Sequence, residues 1–197
     1  MNKMEKNTKT WEQYIAYFNQ LLTSENPPAP YDNEAYMNYV TLNNSRQERW
    51  LKKGKLNEEL VAKIKAIDTP QTWYVITEPW CGDASHSVPF FYLLAKENPL
   101  IEFKIVLRDT APFMIENYLT NGGKSIPKVV IKNEKDEDLF FWGPRPKAAQ
   151  ELYLSMKNAN LPFEEQKIKL QQWYNKDKGV SLQNEMLFTF AELELPQ

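Results

Sequence analysis

The sequence predicts an α/β fold in which a central mixed sheet, drawn from about residues 70–158, carries extra helices at both ends. Three observations predict it. A β-branched and aromatic run at 72–77 is followed by a helical pattern just after Cys81 and by an alternating run at 101–107; strand, helix and strand in that span make a βαβ unit with parallel strands. Two short runs at 128–131 and 139–142 flank the polar turn Asn133-Glu134-Lys135-Asp136 and read as a hairpin. Apolar residues recur at helical spacing before and after this region.

In chain order, Trp11, Tyr14, Ile15, Phe18, Leu21 and Leu22 give a first helix, stopped by Asn26-Pro27-Pro28-Ala29-Pro30 because proline lacks an amide donor. Helices are expected over about 32–52 and 56–67, the second with Leu60, Ile64 and Ile67 on one face. After the βαβ unit, Asp109 or Thr110 is expected to cap a short helix with Pro112 in its first turn, ended by Asn121-Gly122-Gly123. The hairpin, a helix at about 146–156 and helices over 161–177 and 181–194 complete the chain, with Gly179 separating the last two and Ser181 as a cap. One elaborated domain over 1–197 is expected: a helical extension of about 1–68, a core of about 70–158 and terminal helices of about 160–197.

Composition narrows the function. Lysine and arginine total 24 against 26 aspartate and glutamate, scattered along the chain, so no basic stripe offers itself to nucleic acid. No run approaches the roughly 20 apolar residues of a membrane span, and the polar start at Met1–Thr10 is no signal peptide, so a soluble cytoplasmic protein is expected. Cys81 is the lone cysteine and His86 the lone histidine, which excludes a disulfide within the chain and argues against zinc; no metal and no cofactor are expected.

Glu78-Pro79-Trp80-Cys81-Gly82-Asp83-Ala84 places a tryptophan and a cysteine between a strand end and a helix start. Pro89 follows eight residues after Cys81, and Ser125-Ile126-Pro127 puts a proline 46 residues after it. These segments, with Asn121-Gly122-Gly123-Lys124 before the second, Trp142-Gly143-Pro144-Arg145-Pro146 and Trp173-Tyr174-Asn175-Lys176-Asp177-Lys178-Gly179, resemble a bacterial thioredoxin-like family with extra terminal helices. The resemblance implies a thioredoxin-like three-layer fold, a cysteine at the head of the active-site helix, and a cis-proline at Pro127 that exposes the backbone of Ile126 to a peptide. Ala84 departs from it, because thioredoxins carry their resolving cysteine there. A dithiol cycle within one chain is therefore lost.

Each site residue has two readings. Cys81 is either a small buried hydrophobe or a thiol activated by unpaired amides and the helix dipole. The second is preferred, with a pKa below about 8.5 held up in part by Asp83. Asp83 is expected exposed beside the sulfur. His86 lies about 140° from Cys81 around the helix and is expected to be solvated, whereas Ser85 is better placed to reach the cysteine. Trp80 and Trp142 read as core, and Arg145 as a surface arginine or a contact for a glutathione carboxylate. The site expected on these grounds comprises Cys81 with Trp80, Gly82, Asp83, Ser125, Ile126 and Pro127. Two functions fit: a monothiol thiol-disulfide oxidoreductase acting through mixed disulfides with protein or small-molecule thiols, glutathione included, in cell redox homeostasis; or a non-catalytic module holding a partner peptide in the same groove. A peroxide-sensing cysteine is a third.

Overall fold

The computed structural model describes residues 7–193. Its elements are β1 (Thr8–Lys9), α1 (Trp11–Thr23), α2 (Glu34–Lys53), α3 (Glu58–Ala66), β2 (Gln71–Thr77), α4 (Gly82–Ala95), β3 (Ile101–Leu107), β4 (Lys128–Asn133), β5 (Asp138–Trp142), α5 (Lys147–Asn158), α6 (Phe163–Asp177) and α7 (Val180–Leu193). The strands form one mixed sheet in the order β1-β3-β2-β4-β5. β2 runs parallel to β3 and antiparallel to β4, which pairs antiparallel with β5. The α/β class and the mixed central sheet agree with the sequence. The edge strand β1, paired antiparallel with β3, was not expected from the polar start.

Local chemistry accounts for the helix ends. At α1 a capping box closes, with the Gln13 amide donating to Thr10 Oγ1 and the Thr10 amide to Gln13 Oε1. Asn33 and Asn57 cap α2 and α3 through their side-chain oxygens. Ser181 is not the cap of α7: that helix starts at Val180, and the Ser181 amide donates back to the Asp177 carboxylate. The expected end of α7 at 194 lies outside the described residues.

One face of the sheet carries the helices. Trp73 stacks on Phe190 of α7, Phe91 of α4 meets Trp142, and Trp11 of α1 stacks on Tyr92 at 4.6 Å. Because α2 lies across the outer side of α4, with Trp50 against Phe90 at 5.5 Å, α4 is buried on nearly all sides from Ala84 to Phe91. α2 presents Val40, Asn43, Gln47 and Trp50 to that contact, a stripe at i, i+3, i+4 spacing. The other sheet face is covered by the chain around 108–123, where Tyr118 packs on Phe141 and donates to Asp138. The α-helix expected there is only a 3-10 turn, Met114–Asn117, preceded by Phe113 in the left-handed region and without a side-chain cap. Asn121 and Gly122 do take positive φ, but as the two-residue turn of a small Thr120–Gly123 bridge and not as a helix end.

Gly143 fixes the approach of the β5–α5 loop to the site. Its φ is +116°, and a Cβ there would lie 2.2 Å from the Pro127 carbonyl oxygen. Gly143→Ala is therefore expected to cost at least about 2 kcal/mol, from backbone strain and this overlap together. The urea midpoint reads it; an unchanged midpoint would show that the loop can move away.

Candidate functional site

Strand β2 ends at Thr77 and the chain turns sharply through 78–81, with the Cys81 amide donating to the Glu78 carbonyl at 3.0 Å. Three neighbours hold this turn. Glu78 accepts from the Asp109 amide at 3.0 Å and from the Tyr31 hydroxyl at 3.1 Å, and Asn43 of α2, fully buried, donates to the Pro79 carbonyl at 2.9 Å. Burial pushes the Glu78 carboxyl above its ordinary range, and these donors pull it back only in part. In the sequence Glu78 stands only as part of the cysteine segment, with no role of its own, and Asn43 was not singled out.

The turn delivers Cys81 as the N-terminal flanking residue of α4, with extended backbone and no side-chain cap. Its thiol donates to the Ile126 carbonyl at 3.4 Å, and the Ile126–Pro127 bond is cis. The Ile126 amide has no hydrogen-bond partner among the described residues. Trp80, Cys81, Gly82, Asp83, Ser125 and Ile126 line one open groove of about 910 Å³. Pro127 stands behind Ile126, outside the lining, and Ala84 is buried beneath the sulfur, 3% exposed.

Electrostatics at the sulfur run against the sequence expectation. Cys81 is 6% exposed, and burial first, then the Asp83 carboxylate, push its thiol up to about 12; the Ala84 amide and the Arg145 guanidinium pull the other way without compensating. The expected pKa below about 8.5 is thus overturned, because desolvation outweighs the helix end.

Asp83 is not exposed. Its side chain, 14% accessible, accepts from the Tyr174 hydroxyl of α6 at 2.8 Å and pairs with Arg145 at 2.7 Å. Arg145 is accordingly no surface arginine: it also lies over the Tyr153 ring at 4.3 Å, and Asp83 raises its pKa against the cost of burial. Ser85 does not reach the sulfur, since its hydroxyl donates to the Gly82 carbonyl at 2.7 Å.

His86 likewise departs from expectation. It does point away from Cys81, but the face it occupies is covered by α2 and α6, so it is 4% exposed instead of solvated. Its Nδ1 accepts from Trp50 Nε1 at 2.9 Å, its Nε2 meets Gln171 Oε1 at 3.0 Å, and its ring stacks on Tyr174 at 4.5 Å. Burial holds the ring neutral, with a pKa of about 3. Trp142 is core as expected, whereas Trp80 is only partly buried and walls the groove between Tyr36 at 6.1 Å and the Arg108 guanidinium at 4.6 Å.

Part of the wall comes from the added helices. Tyr36, Tyr39, Leu42 and Arg46 of α2, with Phe163 and Ile168 of α6, also line the groove, and Leu42 and Phe163 are 47% and 66% exposed. The α2 residues fall three to four apart, a signal that was present in the sequence but has meaning only once α4 is known to lie on the other side of the helix. Among the described residues no cluster of His, Cys, Asp and Glu could hold a metal, and no helix is long and apolar enough to cross a membrane.

A protein-family model described as thioredoxin matches residues 29–161 of the chain. No curated protein matches it. Among solved structures it is similar to a protein of unknown function, PA1234, from Pseudomonas aeruginosa, at 13% identity and a TM-score of 0.48, over 94% of this chain and 95% of that one. It is also similar to an HIV epitope-scaffold protein, at 13% identity and a TM-score of 0.49 with the same coverage.

Proposed function

Because the chain belongs to the thioredoxin family over residues 29–161, we propose that it is a thioredoxin-fold binding module whose groove beside Cys81, Ile126 and Pro127 holds an extended partner peptide. The observation that carries this reading is the open groove itself, with exposed apolar walls and with Ile126, whose amide has no partner among the described residues, in its lining, as an added strand needs. Its volume of about 910 Å³ sits at the upper end of the roughly 300–1,000 Å³ of ligand pockets.

A second reading, monothiol thiol-disulfide exchange in redox homeostasis, is favoured by the sulfur's position in that lining beside the first amides of α4. The Cys81 thiolate would attack a disulfide, form a mixed disulfide and expel the other sulfur as thiolate; an outside thiol such as glutathione would then attack the mixed disulfide and release Cys81. Magnitude ranks it second. A thiol at about 12 is ionised in roughly one molecule in 100,000 at pH 7, and Ala84 offers no resolving sulfur.

A neutral probe separates the two: dansyl-Ser-Leu-Phe-Ser-Leu with an amidated C-terminus, followed by dansyl fluorescence. Binding should persist in Cys81→Ser and weaken at least tenfold in Leu42→Asp, which puts a charge on the apolar wall. If a dansyl-tagged disulfide peptide is retained only by protein with Cys81 and is freed by dithiothreitol, the exchange reading replaces the binding one.

A further inference from the structure

Charge balance in the groove singles out one residue. Its walls carry five cations, and four of them already have a carboxylate partner: Arg108 with Asp109, Lys124 with Glu116, Arg145 with Asp83 and Lys167 with Glu164. Arg46 has none. Among the described residues its only polar contact is Asn43 Oδ1, which accepts from Nη1 at 2.9 Å. Burial and the neighbouring Arg49 both pull its pKa down, and the Asp83 carboxylate, already paired with Arg145, offsets them only in part. Nη1 lies 3.7 Å from where a Cβ on Gly82 would stand, which places the charge at the head of α4.

Position on α2 supplies the second argument. Tyr36, Tyr39, Leu42 and Arg46 form one stripe along the groove, apolar for three positions and cationic at the last. Tyr36 to Arg46 spans ten residues, about 15 Å along the helix axis. An extended chain at about 3.3 Å per residue covers that distance in about five residues. Asn43 links the two ends of the arrangement, because the same side chain that receives Arg46 donates to the Pro79 carbonyl of the cysteine turn.

We infer that Arg46 is the anchor for a carboxylate, and that the groove takes an apolar peptide segment of about five residues ending in a free C-terminal carboxylate. The apolar side chains lie on Trp80, Tyr36 and Leu42, and the carboxylate meets Arg46 at the head of α4. This rests on the binding reading above and adds to it the polarity of the ligand.

The test compares dansyl-Ser-Leu-Phe-Ser-Leu as free acid and as amide. At 0.15 M salt the wild-type protein should bind the free acid about tenfold more tightly, one charge-assisted contact at a partly solvated site. Arg46→Gln should bring that ratio to about one, and Arg46→Lys should restore part of it. Lys52→Gln, the same change of charge on an exposed position of α2, should leave the ratio at the wild-type value. Circular dichroism melts confirm that the variants fold. Equal binding of the two peptides by the wild type, or a ratio that survives in Arg46→Gln, overturns the assignment while leaving the groove as a peptide site. Binding of decanoate without either peptide makes the occupant an acyl carboxylate and overturns the peptide assignment. Binding of none of the three removes both readings.

Discussion

Iodoacetamide is expected to alkylate Cys81 about a thousand times more slowly than a free cysteine peptide at pH 7, and the rate should climb about tenfold per pH unit to pH 10 with no plateau. The cause is the burial that pushes the thiol up to about 12, reinforced by Asp83. The same shift makes a stability prediction with a definite sign. The folded chain keeps the proton that the unfolded chain, with a thiol near the ordinary 8.5, releases, so the contribution is full below that value and is lost as pH rises above it. Between pH 8.5 and 10 the wild type should lose roughly 2 kcal/mol that Cys81→Ala does not lose, read as the difference between two urea-midpoint series. Tyr14, Tyr31 and Tyr174 are raised as well, but their effects lie higher and cancel in that difference. A plateau in the alkylation rate below pH 8 would mean an accessible thiolate. It would return the exchange chemistry to first place.

Much of this fold was legible because its signals are local. The strand run at 72–77, the hairpin turn at 133–136 and the proline stop after α1 each depend on residues adjacent in sequence, and the cysteine turn and Ser125-Ile126-Pro127 are contiguous motifs. What was not legible depends on which element lies over which face. The angle between Cys81 and His86 correctly separates them around α4, but solvent was the wrong inference for the His86 side, because α2 and α6 cover it. The same covering takes Asp83 out of water and gives it Tyr174 and Arg145 as partners from 91 and 62 residues further along the chain. Desolvation of Cys81 is likewise a sum over distant elements, whereas the helix-end effect that argued for a low pKa is local and visible. The segment at 109–123 failed for a different reason: its capping and stop residues were real turn formers, but each serves its own turn instead of the two ends of one helix.

His86 should also govern the acid limb of stability. Its imidazole is neutral and 4% exposed, with Nδ1 accepting from Trp50 and the ring stacked on Tyr174, so protonation would place a charge with no counter-ion between α2, α4 and α6 and would remove the acceptor of a buried indole. Burial lowers its pKa to about 3 in the folded chain, against about 6.5 unfolded. Between those values the unfolded state binds a proton that the folded state refuses, so stability is complete above about 6.5 and declines as pH falls. From pH 7 to pH 4.5 the loss attributable to this one residue is about 2–3 kcal/mol. His86→Asn, which offers an amide oxygen to the indole and does not titrate, is expected to start less stable at pH 7 because the ring stack is gone, but to show a shallower decline by about that amount. Urea midpoints for both proteins at pH 7, 5.5 and 4.5 read it, and two parallel declines would mean that the ring takes up its proton in place, with α6 giving way to admit water.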